Sequence, residues 1–249
     1  MDDSIIGSRI ISLMSTESTN DYARKLLEEG KPENGTIIIA GEQTKGRGHG
    51  QNEWFSQSGK NLTFTIILYP TFVNSENQFL LSKAVSLGIA DYLSQYLDDI
   101  FIKWPNDIYV DNYKIAGILI ENDWIASRMK NSIIGIGLNI NQQYFPENLP
   151  NPVSLMQVME CNFSLKAELR KLLKSLDYRY KMLKSKHVDR INRDYHNNLY
   201  RLGDYHQYKK GREVFVARII GVTDFGKLIL ESDHGKTMEF NFKEVEFLL

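Results

Sequence analysis

The chain has 249 residues, with 30 lysines and arginines against 31 aspartates and glutamates, a formal net charge of −1. That balance argues against a general nucleic-acid or anionic-membrane binder, though not against a local basic patch. The length allows one large domain or a large and a small one, and the 42% hydrophobic and 24% charged fractions are those of an ordinary soluble protein.

A single cysteine, Cys161, excludes an internal disulfide and suits a reducing cytosol. Met1-Asp2-Asp3 is acidic, unlike the basic start of a signal peptide, and no apolar run approaches membrane length. A cytoplasmic protein without a membrane partner is expected. In chain order, Ile10-Ile11-Ser12-Leu13 opens a strand, and Ser18-Thr19-Asn20 starts a helix through Glu29, closed by Gly30 and Pro32. Ser18 and Asp21 are spaced like a capping box, which is a sufficient structural role for the serine. The same helix start presents oriented N–H groups and hydroxyls to a polar ligand.

Strands are expected at Thr36–Ala40 and Asn61–Tyr69, flanking Gly46-Arg47-Gly48-His49-Gly50 and Trp54. Alternate glycines make a mobile loop whose N–H groups can face an anion, with Arg47 as a fixed positive fork; a plain surface turn would use the same residues. A strand, not a helix, follows this loop, so it is not a dinucleotide fingerprint, and Gly59-Lys60 lacks the Walker A spacing. The stretch from Glu76 to Leu97 carries Phe79, Leu80, Ala84, Leu87, Ala90 and Leu93 at helical spacing, a core stripe to which no chemistry is assigned.

Ile100-Phe101-Ile102 is then a strand stopped by Pro105, and Asp111-Asn112 lies between two β-branched and aromatic runs, a two-residue hairpin signal. That hairpin folds Lys114 back towards Lys103. Two lysines, Asn106 and Asp107 would then share one end of a sheet, with Gly117 allowing close backbone approach. Cations beside a glycine and a carboxylate suggest a phosphate and its magnesium, with Asp107 as the metal ligand; an ordinary hairpin with solvated lysines would read the same.

Gly135 and Gly137 lie in the next apolar run, Ile133 to Asn141, where a side chain would keep a ligand off the sheet, or where a bulge would sit. A helix follows from Ser164 to about Lys184, then a shorter one before Gly211. Beyond residue 208 short strands alternate with turns at Asp224-Phe225-Gly226 and Asp233-His234-Gly235, the pattern of a small antiparallel barrel. Lys209-Lys210-Gly211-Arg212 reads as a solvated turn, too short for a nucleic-acid patch.

Together, Ser18-Thr19-Asn20, Gln43 with Gly46-Arg47-Gly48 and Trp54, Lys103-Trp104-Pro105-Asn106-Asp107 with Lys114 and Ala116-Gly117, and Gly135-Ile136-Gly137-Leu138-Asn139-Ile140-Asn141 resemble the biotin–protein ligase family. These blocks occur in family order over residues 16–141. The resemblance implies an α+β fold: a mixed β-sheet with flanking helices, like a class II synthetase, over residues 1–208, and an SH3-like barrel over 209–249. Ser18 falls within the first twenty residues, so a monofunctional type without an N-terminal winged helix, and with no DNA partner, is expected.

The implied activity is ATP-dependent and AMP-forming. Biotin and ATP give biotinyl-5′-AMP, and a lysine of a biotin carboxyl carrier domain of a carboxylase then takes the biotin. Ser18, Thr19, Asn20, Gln43, Gly46, Arg47, Gly48, His49, Lys114, Gly117, Gly135 and Gly137 would contact biotin. Arg47, His49, Trp54, Lys103, Asn106, Asp107, Lys114 and Asn139 would contact ATP or the adenylate. Lys114 and Arg47 would be catalytic, bridging the biotin carboxylate and α-phosphate, with Mg2+ tied to Asp107. Trp54 would be an apolar lid, or else an ordinary strand-edge core residue. His49 departs from a common family pattern, which has a second arginine there. A monomer or weak homodimer is expected. A lipoate–protein ligase of the same fold and a non-catalytic biotin sensor are the alternatives; the two lysines favour an enzyme.

Overall fold

The computed structural model describes residues 4–50 and 52–248; Met1-Asp2-Asp3, Gln51 of the glycine loop and Leu249 lie outside the described residues. The larger part runs β1 (Ile10–Thr16), α1 (Thr19–Glu29), β2 (Thr36–Gln43), β3 (Leu62–Leu68), α2 (Phe79–Leu93), β4 (Ile100–Lys103), β5 (Asp107–Val110), β6 (Tyr113–Ile125) and β7 (Arg128–Leu138). Three helices follow, α3 (Leu155–Met159), α4 (Leu165–Lys184) and α5 (Val188–Asn197). The smaller part is β8 (Tyr205–Lys210), β9 (Glu213–Val222), β10 (Leu228–Ser232), β11 (Thr237–Phe240) and β12 (Glu246–Phe247).

The seven-stranded sheet has the order β1-β2-β3-β7-β6-β5-β4, with β1 parallel to β2 and the other pairs antiparallel. Side chains alternate across it, so its central strands pack on both faces. Ile38, Ile67 and Ile133 form a small core beneath Ala23 of α1. Ile37, Ile66 and Ile134 point the other way, into the main core with α2 and α4. The α2–α4 approach is close because Gly88 carries no side chain: a Cβ there would lie 2.9 Å from Leu176 Cα. Arg179 of α4 joins three helices, pairing with Asp91 of α2 at 2.5 Å and Asp194 of α5 at 2.6 Å.

The five-stranded sheet is antiparallel, in the order β11-β10-β9-β8-β12. It begins at Tyr205, so the division expected at residue 209 cuts through β8. Lys209-Lys210 therefore end a strand, and only Gly211-Arg212 make the turn. The helix expected from Glu76 to Leu97 is shorter, a 3-10 turn at Ser75–Asn77 preceding α2, and α3 was not signalled by periodicity. No helix among the described residues is long and apolar enough to cross a membrane.

Trp104, at the corner between β4 and β5, ties the two sheets together. Its Nε1 donates to the Gly226 carbonyl at 2.8 Å, and its ring meets Phe242 edge-on at 6.0 Å.

Candidate functional site

A cleft of 660 Å³ opens on the α1 face of the large sheet and is closed at one side by the small sheet. Its walls include Ser18, Thr19, Asn20, Gln43, Arg47, Gly48, His49, Trp54, Lys103, Asn106, Asp107, Lys114, Gly117, Gly135 and Gly137. Of the residues expected at the site, Gly46 and Asn139 are not among its walls.

At one end stands the start of α1. Ser18 is extended (φ −151°), and its Oγ accepts from the Asp21 N–H at 3.5 Å. Gln43 Oε1 accepts from the Thr19 N–H and hydroxyl at 2.8 and 2.9 Å, so two side chains satisfy the helix's first donors. Asn20 Nδ2 donates to Glu121 at 2.9 Å, and Asn20 Oδ1 lies 2.6 Å from the Thr65 hydroxyl. These buried groups thus hold the end wall in one geometry while facing the cleft.

The described residues of the glycine stretch are folded back on themselves by hydrogen bonds. The Trp54 N–H donates to the Gly46 carbonyl at 2.9 Å and the Gly48 N–H to Asn52 at 2.7 Å. A Cβ on Gly46 would strike the Trp54 carbonyl, so glycine is required by the turn rather than by a ligand. Trp54 is not a lid. Its indole lies on the sheet over Gly117 and Gly137, where a Cβ at 117 would come within 3.0 Å of the ring and one at 137 would overlap it. Gly135 similarly admits the Asn20 side chain. The three strand glycines therefore make room for protein side chains, and Trp54 becomes the aromatic floor. The bare backbone is a flat apolar patch, and the ring buries itself there.

At the other end three strands align Lys103, Asp107 and Gly117 in register. Residues 114 and 117 of a regular strand would point to opposite faces, yet both Lys114 and Gly117 line the cleft. A shift of register between Ile108 and Tyr109, opposite Ile115, supplies the bulge that brings them to one side. Lys114 Nζ lies 2.8 Å from Asp107 Oδ1 and 5.7 Å from the centre of the Trp54 ring. Lys103 Nζ donates to the Tyr109 hydroxyl at 2.9 Å and sits 5.3 Å over Phe247 of β12. Burial lowers the Lys103 pKa, Asp107 opposes that, and Arg201 and Lys114 add to it. Burial raises the Tyr109 pKa, so this phenol stays protonated beside the amine. Asn106 holds the corner to β6, its Nδ2 donating to the Ile118 carbonyl at 2.7 Å.

Arg47 lines the cleft, but its fork is engaged. Asp21 lies 2.6 Å away and Glu121 3.1 Å away. Partial burial works against its charge, but Glu121 and then Asp21 outweigh that and raise its pKa. Half-exposed pairs of this kind are worth about 0–1 kcal/mol, so an incoming phosphate can replace them. His49 is largely exposed, yet its ring meets Phe242 edge-on at 3.8 Å. Burial, then the nearby charge of Lys243, lower its pKa.

Asn139 lies behind the cleft, 3% exposed, its Nδ2 donating to the Val153 carbonyl at 3.0 Å. The Val153 N–H in turn donates to the Lys114 carbonyl at 2.9 Å. Asn139 Oδ1 and Trp54 Nε1 are both buried without a partner, an unused acceptor and an unused donor.

Sequence reasoning missed the walls supplied by the small sheet: Phe242, Lys243, Val245, Glu246 and Phe247. Only a turn between strands was readable there, and nothing local signals contact with a site more than a hundred residues earlier. The ensemble can hold an extended ligand with an apolar part over an aromatic floor and an anionic part among lysines.

The family model for the biotin/lipoate A/B protein ligase family matches residues 12–139. The bifunctional ligase/repressor BirA of Bacillus subtilis is 30% identical over 237 residues, covering 93% of this chain and 72% of that protein. The human biotin–protein ligase is 32% identical over 180 residues, covering 67% of this chain and 23% of that protein. Among solved structures, the biotin protein ligase from Aquifex aeolicus in complex with biotin and ATP superposes with a TM-score of 0.80 at 26% identity, covering 97% of this chain and 99% of that one. The chain belongs to the biotin/lipoate A/B protein ligase family.

Proposed function

We propose that the chain is a biotin–protein ligase, which activates biotin with ATP to biotinyl-5′-AMP and passes the biotin to a lysine of a carboxyl carrier domain. The observation that carries this reading is the placement of Lys103, Asp107 and Lys114 beside the Trp54-floored slot in a single cleft. An apolar bicyclic acid suits the slot, and its carboxylate would meet the α-phosphate at the lysines. In the first step a carboxylate oxygen attacks the α-phosphorus and pyrophosphate leaves. In the second, the carrier amine attacks the acyl carbon and AMP leaves.

Lys114 would stabilise the charge on the α-phosphate, releasing Asp107 to do so. A unit-charge pair at 4 Å is worth about 1 kcal/mol in water and about 4 kcal/mol at an effective dielectric near 20, so closing the hairpin over the ligand strengthens the contact. Asn139, behind the cleft, would steady the Lys114 strand through Val153. Arg47 would exchange a carboxylate for phosphate. Ser18, Thr19 and Gln43 would shape the biotin end.

Magnesium would arrive on the nucleotide phosphates. Among the described residues no group of three or more His, Cys, Asp or Glu side chains converges as a cage. Asp107 alone fits the single-carboxylate contact that phosphate-bound magnesium commonly makes. No step is routed through it. The exposed free Cys161 and the absence of a spanning helix among the described residues support a cytosolic site of action.

The test is incubation with ATP, magnesium and either biotin or lipoate, with the adenylate detected by mass. Biotinyl-AMP is expected. Turnover of lipoate alone would move the substrate assignment to the other branch of the family, and no adenylate with either acid would favour a binding module.

A further inference from the structure

The reaction as derived leaves one cation of the cleft unused. Lys243, between β11 and β12, lines the cleft and sets its Nζ against Gly50 at the hairpin tip, where an added Cβ would overlap it. Among the described residues no carboxylate pairs with it. By contrast Lys114 is held by Asp107, Arg47 by Asp21 and Glu121, and Lys103 is taken up by Tyr109. Its backbone is left-handed, with φ +67°, which a long side chain rarely adopts, and such strain persists where the surroundings impose it. Lys243 acts electrostatically on His49, two residues along the hairpin from Arg47.

We infer that Lys243 binds the β- and γ-phosphates of the nucleotide and stabilises the pyrophosphate as it leaves. This rests on the ligase reading. With the α-phosphate at Lys114, a triphosphate turned towards the small sheet brings its outer phosphates to the unpaired amine. In the step concerned, a biotin carboxylate oxygen forms a bond to the α-phosphorus. The bond from that phosphorus to the oxygen bridging to the β-phosphate breaks, and its electron pair leaves with pyrophosphate. No proton is transferred. Negative charge grows on the leaving group, where a fixed ammonium lowers the barrier.

The test uses the full chain and Lys243→Ala, Lys243→Gly and Lys243→Arg variants. Inorganic pyrophosphate binding is measured by calorimetry, ATP KM by adenylate formation, biotin affinity without nucleotide, and thermal melting. Losing one charge-assisted contact should weaken pyrophosphate binding and raise the ATP KM by about tenfold or more in the alanine and glycine variants. Biotin affinity should hold, and Lys243→Arg should restore most of the binding. Lys243→Gly should melt no lower than wild type, because glycine accepts that φ. Pyrophosphate binding and ATP KM within twofold of wild type, or an equal loss of biotin affinity, would overturn the inference. If wild type forms no adenylate but binds pyrophosphate through Lys243, the ligase reading falls and the anion site stands.

Discussion

Lys114 and Arg47 carry the same charge in different company. Arg47 shares its charge between two carboxylates at the mouth, while Lys114 has one partner and stands over Trp54. Lys114→Ala should fold normally and lose about 100- to 1000-fold in adenylate formation, the usual loss for one preorganised charge donor. Pyrophosphate exchange within tenfold of wild type would remove Lys114 from that role. His49 offers a second check at this scale. Its lowered pKa, from burial first and Lys243 second, means that the folded chain binds fewer protons here than the unfolded chain. Its packing on Phe242 is therefore fully favourable above the ordinary value near 6.5 and is lost as pH falls through the lower, folded value. Amide exchange in the 46–54 hairpin, corrected for its intrinsic rate, should quicken below about pH 6, and His49→Phe should flatten that dependence.

The hairpin and the β5–β6 corner are the elements that make the site, and each was legible to a different depth. The cap at Ser18, the Asp111-Asn112 turn and the helical stripes are local signals, and the chain follows them. The bulge opposite Ile115 is not local. Strand alternation alone would have put Lys114 and Gly117 on opposite faces, and only the pairing with β5 reveals that they share one. The strand glycines were readable as places of close approach, but their neighbours, Trp54 and Asn20, come from other elements. Gly137→Ala tests that packing. The new methyl would displace the indole, costing about 1–3 kcal/mol as overpacking, and biotin affinity should fall with it. A crystal structure or indole fluorescence unchanged from wild type would show that the floor is made otherwise.

At the scale of the whole molecule, the small sheet was legible as a barrel but not as a wall of the cleft, because its contributing loop has no sequence pattern tying it to Trp104. Trp104 supplies one tie, an indole hydrogen bond and the packing around it, beside the His49–Phe242 and Lys103–Phe247 contacts. Trp104→Phe keeps an aromatic ring and removes the donor. It should cost about 1–3 kcal/mol, the penalty for an acceptor left without its partner, and weaken nucleotide binding more than biotin binding. Equal effects on both ligands would place the loss in the large sheet instead.

Weakening that tie would make Trp104→Phe a natural conditional allele. A ligand touching both sheets binds only the docked form, so at 100 times its Kd it returns about 2.7 kcal/mol, close to the whole loss from Trp104→Phe. The nucleotide, which reaches the small sheet, should therefore raise the melting temperature of Trp104→Phe more than biotin does. The defect would follow nucleotide occupancy as much as temperature, although the indole's partner, Gly226, belongs to the small sheet.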